Sequence, residues 1–489
     1  MRFTLFMTSV PNVKMNFLLS VVYQILALFL PFITAPYVSR VLGADGIGIY
    51  SYTYSVQMYF SMFATLGTAS YGAREIARAR NNHQRFSQLF WEIETLAVIT
   101  SFISIIIWGG WIYFQIQYQI IYLVFTMSLV GTMLDISWLF TGLEKFKYIV
   151  CRNTIIKLIG VMLIFLFVKE KDDLLLYIFL MTFTNLVGTL SMWIYIPKIV
   201  LKPDFSHFSI VRHIRETLIY FVPTIAASLY TILNKVLIGA ISNDPRENGY
   251  YEQADKIINM SKMFVFIALN SVIGVRMSYL FAEDKIEEIH QRIYRSVDYV
   301  FFVGVGIVFG LVGVSGRFVP WFFGSGFEKT AALIQLLSPI ILIVAISNVL
   351  GSHYYTPAGL RAKSARFIIY GAILNLFISY FLISFYQSYG AAISSLISES
   401  VVTILYFKYC DNYLEISMVL KLLWKKIIAG VVMLLVICII NNLISLNSLA
   451  VVCEIILGAV TYCILLVVLR DTFADFLFRG QILNRIQTK

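Results

Sequence analysis

The chain has 489 residues, of which 59% are hydrophobic and 13% charged, and its formal net charge at pH 7 is +11. Its mean hydropathy of +0.80 excludes a soluble globular domain, because no folded interior hides that much apolar surface and lipid has to cover it. The basic charge is read as membrane topology and contact with anionic lipids, not as nucleic-acid binding.

A helix needs ~20 apolar residues to cross the ~30 Å hydrocarbon core. Runs of that kind, separated by charge clusters, predict spans at 15–39, 47–71, 89–114, 118–141, 152–168, 174–197 and 217–241. They continue at 257–281, 297–316, 331–351, 364–386, 389–407, 422–444 and 449–469. The fifth is short and holds Lys157. The first could mimic a secretory signal, but Pro36 follows "ITA" where cleavage would fall, so an uncleaved helix is expected.

With the N-terminus inside, the cytoplasmic loops carry 27 of the 38 Lys and Arg residues, and the outside loops carry only Arg40, Lys169, Lys171, Arg246, Arg317 and Lys329. That asymmetry follows the positive-inside rule and argues for about fourteen spans with both termini cytoplasmic. The five cysteines show no CxxC or Cys/His spacing, so neither a disulfide framework nor a metal site is expected.

Between the first two spans lies "YVSRVLGADGIGIYSYTYS", from Tyr37 to Ser55. Gly43, Gly46 and Gly48 are expected to turn the chain at the water interface, with Arg40 and Asp45 beside them and Tyr50, Tyr52 and Tyr54 entering the next helix. "GIGIYSYTYS" from Gly46 is echoed by "ENGYYEQADK" from Glu247, and "TGLEKFK" from Thr141 by "AGLRAK" from Ala358. Both echoes are six spans apart, an even number, which predicts two lobes related by a pseudo-two-fold axis along the membrane normal. The fold expected is an all-α polytopic membrane protein: a six-helix lobe at 1–197, a polar cytoplasmic linker at 198–216, a second six-helix lobe at 217–408, and two accessory helices with a tail at 409–489. External loops around 242–253 and 317–330 are too small for an ectodomain, which weighs against an enzyme acting on the outer face.

"YVSRVLGADGIGIYSYTYS", "YGAREIARAR" from Tyr71 and "DISWLFTGLEKFKYI" from Asp135 resemble the bacterial oligosaccharide-lipid flippases. These form the polysaccharide-transporter branch of the superfamily that also holds multidrug exporters and lipid II flippases. The resemblance implies a non-enzymatic carrier in the cytoplasmic (inner) membrane. Such a carrier moves undecaprenyl-diphosphate-linked repeat units from the inner to the outer leaflet for capsule, exopolysaccharide or O-antigen assembly, by alternating access through rocking of two lobes about a central cavity. It implies the lipid-linked oligosaccharide as substrate, and a polysaccharide polymerase and glycosyltransferases as partners. A multidrug or cation antiporter of the same superfamily is the rival expectation, and a membrane glycosyltransferase is the rival from another class.

A diphosphate with sugars crosses hydrocarbon only through a wet cavity lined by cations, amides and aromatics, so intramembrane charges are the candidates. Lys235, with Asn234 beside it, lies deep in the seventh span and faces a cavity or else snorkels toward the outer face; Arg276 and Lys157 lie nearer cytoplasmic ends, where snorkelling is easy. Arg74 and Arg78, one turn apart, could receive the diphosphate at the cytoplasmic mouth or serve as a topology signal. Asp135 and Glu399 are the candidates for binding a coupling proton or sodium ion, or else neutralise a lysine. Glu92, Glu94 and Glu454 rank below them. Amides such as Gln57, Asn185, Asn348 and Asn375 could bind sugar hydroxyls or join helices.

Overall fold

The structure is a computed structural model and describes residues 13–203, 208–270, 273–443 and 448–479. Among these residues there are helices and no strands. The helices are α1 (Val13–Thr65), α2 (Thr68–Ala79), α3 (His83–Phe114), α4 (Gln119–Met133), α5 (Ser137–Gly142), α6 (Phe146–Phe167), α7 (Leu174–Trp193) and α8 (Ile196–Ile199). They continue as α9 (Val211–Thr231), α10 (Leu233–Ile241), α11 (Pro245–Asn270), α12 (Ile273–Ala282), α13 (Ile286–Phe323), α14 (Glu328–Leu337) and α15 (Ile340–Leu350). Last come α16 (Arg361–Lys408), α17 (Ile416–Leu443), α18 (Ser448–Val468) and α19 (Thr472–Ala474).

Nine described stretches are long and apolar enough to cross a membrane, among them His83–Phe114, Ile286–Phe323 and Arg361–Lys408. Helix also occupies the described parts of the other segments expected to span. The protein is a multi-pass membrane protein. Its chain divides into two compact units, Met1–Val236 and Leu237–Lys489. The end of each unit that carries the loops expected to be cytoplasmic, with Arg74, Arg78 and Arg80 in the first and Lys285, Lys363 and Lys425 in the second, is called here the basic end.

In the first unit the opening stretch turns at one residue. Gly43 has φ 68° and ψ 178°, a conformation open to glycine. Gly46 and Gly48, expected in the turn, are instead helical, because one reversal satisfies the geometry and the remaining residues gain hydrogen bonds by continuing the helix. The tyrosines knit the second arm of α1 to its neighbours: Tyr50 lies 5.2 Å from Tyr177 of α7 and Tyr54 lies 6.0 Å from Phe125 of α4, between ring centroids. The first arm is fixed by Tyr37, whose hydroxyl donates to the Val168 carbonyl at 2.6 Å.

The fourth span is broken. α4 ends at Met133 and α5 begins at Ser137, so Asp135, inside the span predicted at 118–141, sits at an exposed break in the helix. The backbone groups released there find local partners: Trp193 Nε1–H donates to the Leu134 carbonyl at 2.9 Å, and the Asp135 carboxylate accepts from the Ser137 N–H at 2.9 Å. Below the break, Trp138 stacks on Phe90 at 5.5 Å and fills the space over Gly72, where a Cβ would lie 2.5 Å from the indole.

In the second unit α16 runs for 48 residues, ~70 Å at helical rise and about twice the hydrocarbon core. It is a hairpin bent at Gln387 (φ 52°, ψ −126°). Ser379 and Ser394 hydroxyls meet at 2.6 Å across its arms, while Asn375 Oδ1 accepts from Ser379 at 3.3 Å and from Ser398 at 3.4 Å. Asn375 therefore joins helices. Gly390 makes the bend possible, since a Cβ there would lie 2.1 Å from the Leu382 carbonyl oxygen.

The two accessory helices are clamped to α13 at both ends. At the basic end Lys426 of α17 is fully buried and donates to Asp298 of α13 at 2.6 Å and to Asp471 at 2.7 Å; Thr472 donates to the other Asp298 oxygen at 2.6 Å. At the opposite end Arg317 pairs with the buried Glu454 of α18 at 2.8 Å and donates to the Asn441 carbonyl. Arg317 was expected in an outside loop, but α13 continues to Phe323 and holds it in the helix. Between the clamps, glycines bring backbones close: a Cβ on Gly430 would lie 2.5 Å from Phe309, and one on Gly306 3.0 Å from Tyr462.

Candidate functional site

At the basic end of the first unit, α3 and the start of α9 meet on one carboxylate, and α2 joins them through a histidine. Glu92 of α3 is fully buried and accepts from His213 Nε2 at 2.8 Å, from the Ser209 N–H at 3.2 Å, from Gln88 at 3.1 Å, and from the Arg212 guanidinium. His213, at the start of α9, has its Nδ1 2.7 Å from the Tyr71 hydroxyl of α2. Arg212 Nε also lies 3.2 Å from His213 Nε2. A neutral imidazole that gives its Nε2–H to Glu92 accepts from Tyr71 at Nδ1, which joins the three side chains in one hydrogen-bonded chain. Burial pushes the His213 imidazole below the ordinary histidine range, against the pull of Glu92.

Arg74 lies on the same surface, paired with Glu75 at 3.0 Å and Glu216 at 3.5 Å, its guanidinium 5.5 Å and 5.3 Å from the centroids of the Tyr71 and Tyr220 rings. Arg78 is 68% exposed and shares Glu75 at 3.2 Å. The linker is fixed to this end: Trp91 donates to the Leu201 carbonyl at 2.8 Å, Ser87 accepts from the Leu201 N–H at 3.1 Å, and His83 meets the Ile199 carbonyl at 3.0 Å. Sequence ranked Glu92 low, because its partners Arg212 and His213 lie 120 and 121 positions away and linear spacing carries no signal of the contact.

Of the cation candidates, Lys235 and Asn234 occupy the first turn of α10, just beyond the break at Ile232 that separates α9 from α10. Asn234 is buried and Lys235 half-buried. Lys157 is on an exposed face of α6, while the Arg276 side chain falls outside the described residues.

The carboxylate candidates fall into two places. In the first unit, Asp135 is within electrostatic reach of Glu94, which is 3% exposed. Neither Glu94 oxygen has a partner with hydrogen-bond geometry among the described residues, although the Trp138 indole stands beside it. In the second unit, Glu399 on the second arm of α16 lies within electrostatic reach of Lys262 on α11.

Broken helices within a bundle, with charged side chains at or near the breaks, are the form in which one class of membrane carriers binds its solutes. The fold agrees: it superposes on a lipid II flippase, MurJ, in an inward closed conformation, with TM-score 0.64 and 16% identity over 96% of this chain and 100% of that one. It also superposes on an outward-facing multidrug resistance MATE family transporter, with TM-score 0.53 and 13% identity over 84% of this chain and 95% of that one.

The sequence profile of the polysaccharide biosynthesis protein family matches residues 13–276, and the chain belongs to that family. Two relatives, from Escherichia coli (strain K12) and Shigella dysenteriae, both carry the description "Putative O-antigen transporter". The first is 24% identical over 78% of this chain and 93% of its own length, the second 25% over 77% and 95%.

Proposed function

We propose that the protein is a flippase of the cytoplasmic membrane that carries undecaprenyl-diphosphate-linked oligosaccharide repeat units from the inner to the outer leaflet by alternating access. Family membership and the flippase-like fold support transport of a polysaccharide precursor. The observation that carries the reading to a diphosphate is the break at Ile232, beyond which α10 begins with Asn234 and Lys235. A lysine in the first turn of α10 sets a full cation at the break beside a buried amide, a combination suited to phosphate oxygens and sugar hydroxyls. The basic ends are taken as cytoplasmic, and both termini with them. Coupling to protons or sodium would fall to Glu94 with Asp135 or to Glu399 with Lys262. Capsule, exopolysaccharide and O-antigen pathways all supply a substrate of this class, with a polymerase and glycosyltransferases as pathway partners.

The test is surface polysaccharide in a strain lacking the native gene, with membrane abundance of each variant measured alongside. Lys235→Ala should abolish export at normal abundance, and Lys235→Arg should retain part of it because the charge survives while the headgroup geometry changes. Near-normal polymer from Lys235→Ala would remove Lys235 from the site.

A further inference from the structure

The hairpin α16 carries a second feature that the transport reading does not use. Where its two arms end together, Lys363, Arg366, Phe367, Tyr370 and Tyr409 line a cavity of about 230 Å³. Lys363 Nζ donates to the Tyr409 carbonyl at 3.1 Å and stands 5.5 Å from the Tyr409 ring centroid; Lys408 Nζ stands 5.7 Å from the same ring. Phe367 stacks on Tyr409 at 5.6 Å. The Arg366 guanidinium makes one long contact, Nε to the Ala362 carbonyl at 3.4 Å. Among the described residues no carboxylate pairs with Lys363, Arg366 or Lys408. The nearest acid in sequence, Asp411, is engaged by the Tyr354 hydroxyl.

Three cations around one aromatic shelf, without counter-charge, make an anion site at the edge of the bundle. What continues from it decides the anion. On the first arm Tyr370, Ile373, Phe377 and Phe381 follow Arg366 at helical spacing and are 55%, 47%, 61% and 62% exposed, an unbroken apolar stripe on the surface of a membrane protein. Such a stripe faces acyl chains. A soluble phosphate would have no use for it, and the cavity volume matches a phosphate with its glycerol, not an oligosaccharide.

We propose that this pocket binds the headgroup phosphate of an anionic glycerophospholipid in the leaflet at the basic end. Lys363 and Arg366 contact the phosphate oxygens, Tyr409 and Tyr370 flank the glycerol, and one acyl chain lies along Tyr370, Ile373, Phe377 and Phe381. The lipid thereby holds the two ends of the α16 hairpin together, since Lys363 and Arg366 belong to the first arm and Lys408 and Tyr409 to the end of the second.

Native mass spectrometry of the delipidated full chain, titrated with phosphatidylglycerol in detergent, tests this. The wild type should retain one phosphatidylglycerol more tightly than phosphatidylcholine, and Lys363→Ala/Arg366→Ala should weaken that retention at least about tenfold. Removing two exposed cations elsewhere at the same end, Lys285→Ala/Lys421→Ala, should leave it unchanged. Should the double pocket variant fail to fold, Arg366→Gln alone serves, because its guanidinium carries little internal structure. Equal retention in wild type and pocket variants overturns the site, as does an equal loss in the Lys285/Lys421 control. Displacement by millimolar inorganic phosphate, or by undecaprenyl diphosphate at a lower concentration than phosphatidylglycerol, overturns the glycerophospholipid assignment.

Discussion

His213 Nε2 lies 2.8 Å from the buried Glu92 carboxylate, and its other nitrogen lies 2.7 Å from the Tyr71 hydroxyl. One imidazole thus joins the start of α9 to α2 and α3, where the linker enters the first unit. Tyr71→Phe should cost about 1 kcal/mol, the worth of one ordinary hydrogen bond, because Nδ1 is left without its donor. Because burial holds the His213 pKa below its unfolded value, the unfolded chain binds the proton first on acidification. The stabilisation is therefore present in full above ~6.5 and lost as pH falls below it toward the folded pKa. Thermal unfolding in detergent at pH 7.5 and 5.5 measures this. His213→Phe should flatten the difference, and an unchanged acid sensitivity in that variant would assign it to other groups.

Lys426 is the cation whose loss should matter most to the accessory helices. Lys426→Met leaves Asp298 and Asp471 facing each other without a positive charge, at a cost of about 3–5 kcal/mol. Adding Asp298→Asn and Asp471→Asn should restore much of it, since Asn still caps α19 and no charge remains buried. Lys425→Ala, at a half-buried side chain one residue away whose hydrogen bond to the Arg470 carbonyl lies at the surface, should shift the melting temperature little. A Lys426→Met melt equal to that of Lys425→Ala would show the triad to be idle.

Two glycine substitutions separate backbone from side-chain obstruction. Gly390→Ala drives a methyl to 2.1 Å from the Leu382 carbonyl oxygen, and the hairpin must open. Gly430→Ala meets the Phe309 ring at 2.5 Å, and a ring can turn. Gly390→Ala should therefore lower membrane abundance sharply, while Gly430→Ala costs about 1–3 kcal/mol with the fold retained. Abundance in membranes and melting temperature distinguish the two.

Sidedness follows from the basic ends. Cysteines at Asp45 and Ser325, both exposed, should label from outside the cell, and one at the exposed Asp284 only after permeabilisation. Asn248 is fully buried and is a poor labelling site despite its place near an outer loop. Labelling of residue 284 in intact cells would invert the topology.

Ion coupling rests on carboxylates. If Glu94 and Asp135 hold the coupling ion, Glu94→Gln and Asp135→Asn should each reduce polymer export several-fold at normal abundance and alter its dependence on pH or sodium, whereas Glu399→Gln should not. The reverse pattern would move coupling to the second unit, and full activity in all three would remove coupling from both places.

Hydropathy alone made this a polytopic helical membrane protein, because a run of apolar side chains has only one favourable solvent and the period of charge clusters follows from its thickness. The same logic placed the turn near Gly43 and the α16 hairpin between two predicted spans, and the motifs around Tyr37, Tyr71 and Asp135 pointed to the family. What the sequence could not decide is which charges meet. Lys425 and Lys426 are adjacent letters, yet a helix turns them ~100° apart, so one reaches the surface and the other is fully buried between Asp298 and Asp471. Glu92 and His213 are separated by 121 positions, and Arg317 and Glu454 by 137. Those pairings depend on the rotation of each helix about its axis, which small residues and aromatic contacts set only once the helices are packed. The roles of Glu92, Glu454 and Lys426 were therefore decided by the tertiary structure, through side chains whose partners lie far away in the chain.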